Sequence, residues 1–350
     1  MPEYAILVLP SANRVYTDTA PTLVRAELSA FAPALSTDVA DTDIRTIGGV
    51  DYVTLRTDRP LTDDDVALLS NVSSAYALFE VTGDLLRPLP MAPVARFGSD
   101  LLTIQKYPGK TNEQFTQLMV NLTVLASRWA SAPFGTALHV LDPLCGRGST
   151  LNQAMMYGFD ATGVEVSAKD FEAYERFIKT WLRGNRLKHT AQSGVLRRNR
   201  TRLGQRLEID YAPSKEAYRA GHTRNLTYYN TDTLRTDELL RPDSVDLIVT
   251  DAPYGVQHGS RGDDDSLARS PRDLLAAAVP VWSRVLRPGG ALGISFNTYV
   301  LARDELLGIL DRAGLSVVSG PGYDTLTHRV DHAIVRDLVV ARKEPSPSGR

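Results

Sequence analysis

The chain is poor in features that would place it in several broad classes. It has one cysteine in 350 residues, Cys145, which excludes an intramolecular disulfide and any zinc site built on clustered cysteines. No metal is expected. A run of about 18 apolar residues, the minimum for a membrane-spanning helix, is missing, and the segment Met1 to Pro10 is too short for a secretory signal. A soluble, cytoplasmic protein is therefore expected, with no membrane partner. Net charge is only −2, from 39 basic and 41 acidic side chains, so the whole-chain balance says little about partners.

What the chain does contain is 43% apolar and 23% charged residues, enough to bury a sizeable core, and a length that suits one large domain with one small one. Residues 138–167 organise the rest. An apolar run, Leu138 to Leu141, ends in Asp142, and a turn holding Gly146 and Gly148 follows. A helix-compatible segment, Ser149 to Tyr157, then leads to a second apolar strand ending at Glu165. Strand, glycine loop, helix, strand and acid suit a nucleoside-containing cofactor: glycine lets backbone lie against a ligand, and a strand-end carboxylate accepts ribose hydroxyls. A tight strand-to-helix turn would show the same glycines. The spacing Asp-x-x-x-Gly-x-Gly is not the G-x-G-x-x-G of dinucleotide binders.

The nine residues Asp142-Pro143-Leu144-Cys145-Gly146-Arg147-Gly148-Ser149-Thr150 resemble the D-P-x-C-G-x-G-[ST] signature of S-adenosylmethionine-dependent amino-methyltransferases acting on nucleic acids. A second stretch adds to the likeness. The apolar strand Val245 to Val249 delivers Asp251-Ala252-Pro253-Tyr254, which resembles the [D/N]-P-P-[Y/F] tetrad of those enzymes with Ala252 in place of the first proline. Open parallel sheets bind ligands at the carboxyl ends of their strands, so tetrad and glycine loop are expected to face one crevice.

Over residues 106–341 the chain resembles the class I methyltransferases of the tRNA guanine-N2 group, the THUMP-associated RNA methylases, with a shortened N-terminal region. The implied fold is α/β: a Rossmann-like methyltransferase domain, residues 93–344, built on a mostly parallel seven-stranded sheet. Residues 1–92 have room for the ferredoxin-like module of those enzymes but not for a THUMP domain as well. Their pattern fits the smaller α+β unit. Strands at Tyr4 to Pro10, Thr42 to Arg56 (hinged at Gly48-Gly49) and Ala75 to Val81 alternate with helices at Thr22 to Phe31 and after Leu61, giving β-α-β-β-α-β. Three prolines between Leu85 and Pro93 mark the boundary, and residues 345–350 are expected to be a disordered tail.

Thr111 and Asn112 precede a helix running from Glu113 to about Trp129 and would aim its first N–H groups at an anion, although plain helix capping explains them equally. Between Arg183 and Arg224 stand eleven basic residues against three acidic, a local net charge of +8. This segment lacks apolar periodicity and is expected to be a long insertion, either contacting nucleic-acid phosphates or forming a solvated basic loop. Tyr228 to Asp232 reads as the third strand, ending in an acid. A polar loop at Gln257 to Ser270, helices at Leu274 to Leu286 and Arg303 to Ala313, and strands at Ala291 to Phe296, Leu315 to Val318 and Ala333 to Ala341 complete the pattern.

The resemblance implies methyl transfer from a sulfonium to an exocyclic amine. Asp251 and the carbonyl of Ala252 would accept the amine's N–H groups, with Pro253 in the same motif, and Tyr254 would stack on a base drawn out of its duplex or loop. Cofactor residues implied are Thr111, Asn112, Asp142, Pro143, Cys145, Gly146, Gly148, Glu165 and Asp232, with Cys145 a small packing residue and not a nucleophile. Guanine N2 in tRNA or another structured RNA is the first substrate class. DNA adenine-N6 or cytosine-N4, protein amides, small molecules and a non-catalytic binding role remain open.

Overall fold

The computed structural model describes residues 1–11, 14–198, 201–254 and 270–345. The expected polar loop after Gln257 and the tail after Pro345 fall outside the described residues, Ser270 and Pro345 apart.

The N-terminal part runs β1 (Glu3–Val8), α1 (Arg14–Phe31), β2 (Val39–Ile47), β3 (Val50–Thr57), α2 (Asp63–Leu69), β4 (Ala75–Thr82) and β5 (Leu85–Leu89). Its five strands form one sheet in the order β2-β3-β1-β4-β5, every pairing antiparallel. The proline-rich boundary thus contributes an edge strand, the position where a proline's missing N–H is tolerated. Helix α2 starts where its acids are useful: the Thr62 hydroxyl accepts from the amide of Asp65 while the Asp65 carboxylate accepts from that of Thr62. Such a reciprocal cap is worth about 1 kcal/mol.

The rest of the chain begins with a short helix α3 (Asp100–Thr103) and α4 (Glu113–Ala126). Then come β6 (His139–Asp142), α5 (Ser149–Tyr157), β7 (Asp160–Glu165), α6 (Ala168–Gly184), β8 (His189–Arg198), β9 (Thr201–Tyr211), α7 (Lys215–Arg219), β10 (Arg224–Asn230) and α8 (Thr236–Leu239). The remainder is β11 (Val245–Asp251), α9 (Pro271–Val285), β12 (Leu286–Asn297), α10 (Arg303–Arg312), β13 (Ser316–Val317), β14 (His328–Arg329) and β15 (Val335–Arg342). The sheet runs β13-β15-β12-β11-β6-β7-β10-β9-β8, with β14 paired to β15, making ten strands where seven were expected. Five of them, β10, β7, β6, β11 and β12, are mutually parallel, and the outer strands are antiparallel.

The extra strands come mainly from the basic insertion, which is a long hairpin instead of an irregular loop. Leu207, Ile209 and Tyr211 alternate along β9 and are fully buried, so half of the strand signal was present in the sequence. Strand β8 lacks it because an edge strand exposed along most of its length needs no apolar face. Gly204 has φ +152°, and a Cβ there would sit 1.8 Å from the Asn230 carbonyl oxygen, so only glycine lets the hairpin run this close to β10.

The N-terminal sheet and the large sheet share one apolar core. Leu23, Val24 and Phe31 of α1 belong to the same cluster as Phe115, Leu118 and Leu122 of α4 and Leu338 of β15. Each such side chain, fully buried, contributes roughly 1.5–3 kcal/mol. A polar network lies inside this core. Glu27 of α1 accepts from the Ser73 hydroxyl (2.6 Å), the Ser73 amide (3.0 Å) and Asn121 Nδ2 (2.7 Å), and Tyr157 donates to Asn121 Oδ1 (2.7 Å). Burial pushes the Glu27 carboxyl up to about 7, against the pull of those donors.

Candidate active site

Adjacent parallel strands β6 and β11 end in Asp142 and Asp251, and a cavity of about 200 Å³ opens above them. The glycine loop forms one wall and the tetrad the other. Thr111, Asp142, Cys145, Gly146, Asp251, Ala252, Pro253 and Tyr254 all line it, so the two motifs converge as expected from sequence. Five other expected residues do not line it: Asn112, Pro143, Gly148, Glu165 and Asp232.

Each of these has a visible reason. Asn112 is the N-cap of α4, its Oδ1 accepting from the amides of Gln114 (2.8 Å) and Phe115 (3.4 Å) while its Nδ2 donates to Ser11. Pro143 is buried. Gly148 has φ +77°, and a Cβ on it would lie 2.3 Å from the ring of Tyr174. That glycine is required to seat an aromatic ring beneath the loop, whereas Gly146, with open space where its Cβ would be, leaves bare backbone towards the cavity. Glu165 accepts from the amides of Gly146 (3.1 Å) and Ser167 (2.8 Å), which places its carboxylate directly behind the loop. Asp232 is exposed and caps the short turn Thr233–Arg235 through the Leu234 amide, because β10 stops at Asn230, two residues short of the expected strand end.

The electrostatics of the floor are unusual for carboxylates. Burial pushes Asp142 up to about 7; the Leu144 amide, donating to Oδ1 at 3.1 Å, opposes the rise and the neighbouring Asp251 adds to it. Burial likewise raises Glu165, partly offset by the Ser167 and Gly146 amides. The Cys145 thiol is pushed well above its ordinary value by burial, and its Sγ packs where a side chain on Gly163 would be. That environment suits a packing residue and not a thiolate nucleophile.

Opposite the loop, Asp251 is held from three sides. Thr111 donates its hydroxyl to Oδ2 at 2.7 Å, Tyr254 donates its hydroxyl to Oδ1 at 2.6 Å, and a guanidinium nitrogen of Arg336 stands 3.5 Å from Oδ2. Arg336 also donates from Nε to the Tyr254 hydroxyl at 2.7 Å and lies over the rings of Phe115 and Tyr254. The Ala252 amide is tied to the Ser295 carbonyl of β12 at 2.8 Å, which fixes the turn without the missing proline.

Sequence reasoning missed Arg336 altogether, since β15 carries no motif and reaches the site only through sheet order. It also missed Tyr107 and Arg147, which line the cavity with the Arg147 guanidinium 4.8 Å from the Tyr107 ring centroid. Arg147 lies inside the glycine loop and Tyr107 four residues ahead of Thr111, and their spacing alone gave no sign of the stack. Among the described residues no cluster of three or more His, Cys, Asp or Glu is placed to hold a metal ion, and no helix is long and apolar enough to cross a membrane.

No family model matches the chain, and no curated protein matches it. Similar solved structures include a TehB-like SAM-dependent methyltransferase from Corynebacterium glutamicum, 14% identical, covering 59% of this chain and 81% of that one with a TM-score of 0.34. Another is an rRNA methylase from Streptococcus thermophilus, 12% identical over 59% of this chain and 87% of its own, TM-score 0.33. A geranyl diphosphate methyltransferase in complex with GPP and sinefungin is 13% identical over 64% and 78%, TM-score 0.36. Likeness at this level identifies neither a family nor a substrate for this chain.

Proposed function

We propose that the chain is an S-adenosylmethionine-dependent N-methyltransferase with a class I methyltransferase domain and a ferredoxin-like N-terminal module, acting on an exocyclic amino group of a nucleobase, guanine N2 of structured RNA first among them. The observation that carries this is the convergence of the Asp142–Thr150 loop and the Asp251–Tyr254 tetrad on one cavity above two adjacent parallel strands. Parallel strands ending in antiparallel β15 and β13 support the domain assignment.

The residues present fit the cofactor. Gly146 offers bare backbone, Glu165 behind it has lone pairs left for ribose hydroxyls, and two buried carboxyls suit a ligand that brings positive charge. Bound there, S-adenosylmethionine supplies an electrophilic methyl group on a sulfonium. The chain's own work lies across the cavity. Asp251 and the carbonyl of Ala252 accept the two amine N–H groups and hold the nitrogen lone pair towards the methyl, and the ring of Tyr254 stacks on the base.

A nucleic-acid substrate is supported by where the fold puts its basic residues. Gln205 pairs with Asn230 at the end of β10, so the hairpin beyond it, Thr201 to Gly204 and the facing end of β8, overhangs the carboxyl edge of the parallel strands by about 13 Å. Arg197 and Arg202, both exposed, face each other across this ladder. Like charges so placed cost up to about 1 kcal/mol, and among the described residues neither pairs with an acid. A phosphate backbone would relieve that repulsion on the same edge as Asp251. Incubation with labelled S-adenosylmethionine and in vitro transcribed tRNA, rRNA, duplex DNA or peptides tests the proposal: N2-methylguanosine in digested RNA supports it, and label confined to DNA or peptide overturns the substrate class.

A further inference from the structure

If Asp251 accepts the target amine, Oδ1 is the oxygen with the fewer partners, and it shares its lone pairs with the Tyr254 hydroxyl. In the structure Oδ2 takes the Thr111 hydroxyl and faces Arg336, while Oδ1 takes the Tyr254 hydroxyl. The Tyr254 hydroxyl thus takes one of the two acceptor positions on the oxygen the amine would use, and its ring lies against Arg336. The Tyr254 hydroxyl can hold this place because it does two things at once, donating to Asp251 and accepting from Arg336 Nε.

Arg336 itself is fixed. Its side chain is 6% exposed, its guanidinium lies 4.5 Å from the centroid of the Phe115 ring, and Phe115 is fully buried in α4. The backbone of Arg336 is registered between Asn297 of β12 and His328 of β14. Burial alone would pull its guanidinium down, but Asp251 and Tyr254 more than compensate and leave it above its ordinary value. A buried guanidinium paired to one carboxylate, one phenol and one ring face is well matched, and expensive to leave unpaired. Of the pair, Arg336 is therefore the fixed member.

We propose that Arg336 is the positioning residue of this site: it latches Tyr254 over Asp251 before substrate binds and keeps the carboxylate aimed through Oδ2 after the incoming amine has displaced the Tyr254 hydroxyl from Oδ1. The inference rests on the methyl-transfer proposal above and adds a closed state that the substrate must open. Tyr254 has two positions, one on Asp251 and one against the base. The latch lowers apparent substrate affinity by the fraction of enzyme held closed.

Methyl transfer to in vitro transcribed tRNA, with calorimetry for S-adenosylmethionine, provides the test. Arg336→Met, which keeps the stem against Phe115 and loses the charge, should cut kcat by about 100-fold while cofactor affinity stays within about threefold, and Arg336→Lys should recover at least about tenfold of the loss. Tyr254→Phe, which keeps the ring and deletes only the latching hydroxyl, should lower the KM for tRNA by about tenfold. Wild-type kcat in Arg336→Met, or an unchanged or raised KM in Tyr254→Phe, overturns the latch. Asp251→Ala separates the two levels: if it is inactive while Arg336→Met is fully active, the methyltransferase proposal stands and the latch falls. If Asp251→Ala turns over normally, the proposed reaction itself is wrong. Independently of turnover, crystals of Arg336→Met should show the Tyr254 hydroxyl released from Asp251, and a hydroxyl still bonded there also overturns the latch.

Discussion

Thr111 and Asp251, 140 residues apart, meet in a 2.7 Å hydrogen bond across the cavity. A residue expected on the cofactor side thus holds the residue expected to bind the amine. Interactions made mainly in the transition state show in turnover and not in ground-state binding. Asp251→Ala should therefore keep S-adenosylmethionine affinity within a few-fold and cut methyl transfer by about 100-fold or more. Asp251→Asn, whose amide oxygen still accepts, should be milder. Thr111→Val should follow the pattern of Asp251→Ala at smaller amplitude. A Thr111→Val enzyme that loses cofactor affinity and keeps its turnover number would return Thr111 to the cofactor side.

Glu165 lies behind the loop and not in the cavity wall, yet its carboxylate fixes the Gly146 amide and retains lone pairs. Glu165→Ala should weaken S-adenosylmethionine binding by roughly 1–3 kcal/mol, the range for removing a buried acceptor. Calorimetry on the folded variant checks this, and unchanged affinity would remove Glu165 from the cofactor site.

Asp142, raised to about 7 by burial, should make cofactor affinity pH-dependent. A cationic ligand favours the ionised carboxylate, so below about pH 7 binding must also expel a proton. Affinity should fall by up to about tenfold per pH unit on going down from pH 7 and level off above it. Asp142→Asn should flatten the profile, and a wild-type profile already flat from pH 5 to 8 would mean Asp142 does not feel the cofactor.

The hairpin divides the basic segment by position. Arg197 and Arg202 stand at the carboxyl edge of the parallel strands, whereas Lys215 and Arg219 in α7 precede the opposite end of β10. Replacing Arg197 and Arg202 by serine should lower affinity for tRNA and reduce the log–log salt slope by up to about 0.7–0.9 for each phosphate no longer neutralised. Replacing Lys215 and Arg219 should do neither. Equal effects from both pairs, measured by filter binding across salt concentrations, would show that the charge acts as a diffuse field.

Glu27 makes its own pH signature. Its folded value of about 7 lies above the ordinary carboxyl range, so the folded state holds a proton that the unfolded chain releases. That stabilisation is complete below about pH 4.5 and is lost as pH rises through 7, about 3 kcal/mol in all. Denaturant titration at pH 5 and pH 8 should show the loss in the native sequence and a smaller one in Glu27→Gln. A difference of the same size in both proteins would assign it to other groups.

Local chemistry made much of this legible in advance. The loop, the tetrad and the Asn112 cap are all written in consecutive residues. What could not be read was set by sheet order. Arg336 reaches Asp251 because β15 lies one strand beyond β12, and nothing near residue 336 states which strand it will join. The hairpin was hidden because β8 is exposed along most of its length and carries no alternation, while Asp232 looked like a strand end because it is the first acid after the strand-forming pair Tyr228 and Tyr229. The two glycines of the loop seemed alike in sequence, and only the Tyr174 ring under Gly148 separates their roles.

The Glu27–Asn121–Tyr157 network has a consequence for how such a gene can change. Domain shuffling moves units that are self-sufficient, and the proline-rich stretch near residue 90 looks like a natural place for a crossover. A crossover there would leave Asn121 and Tyr157 without their carboxylate and strip the apolar partner from one side of α4. The N-terminal part and the large sheet are therefore expected to be inherited as a pair, a swapped N-terminal part needing its own buried acid at the same place.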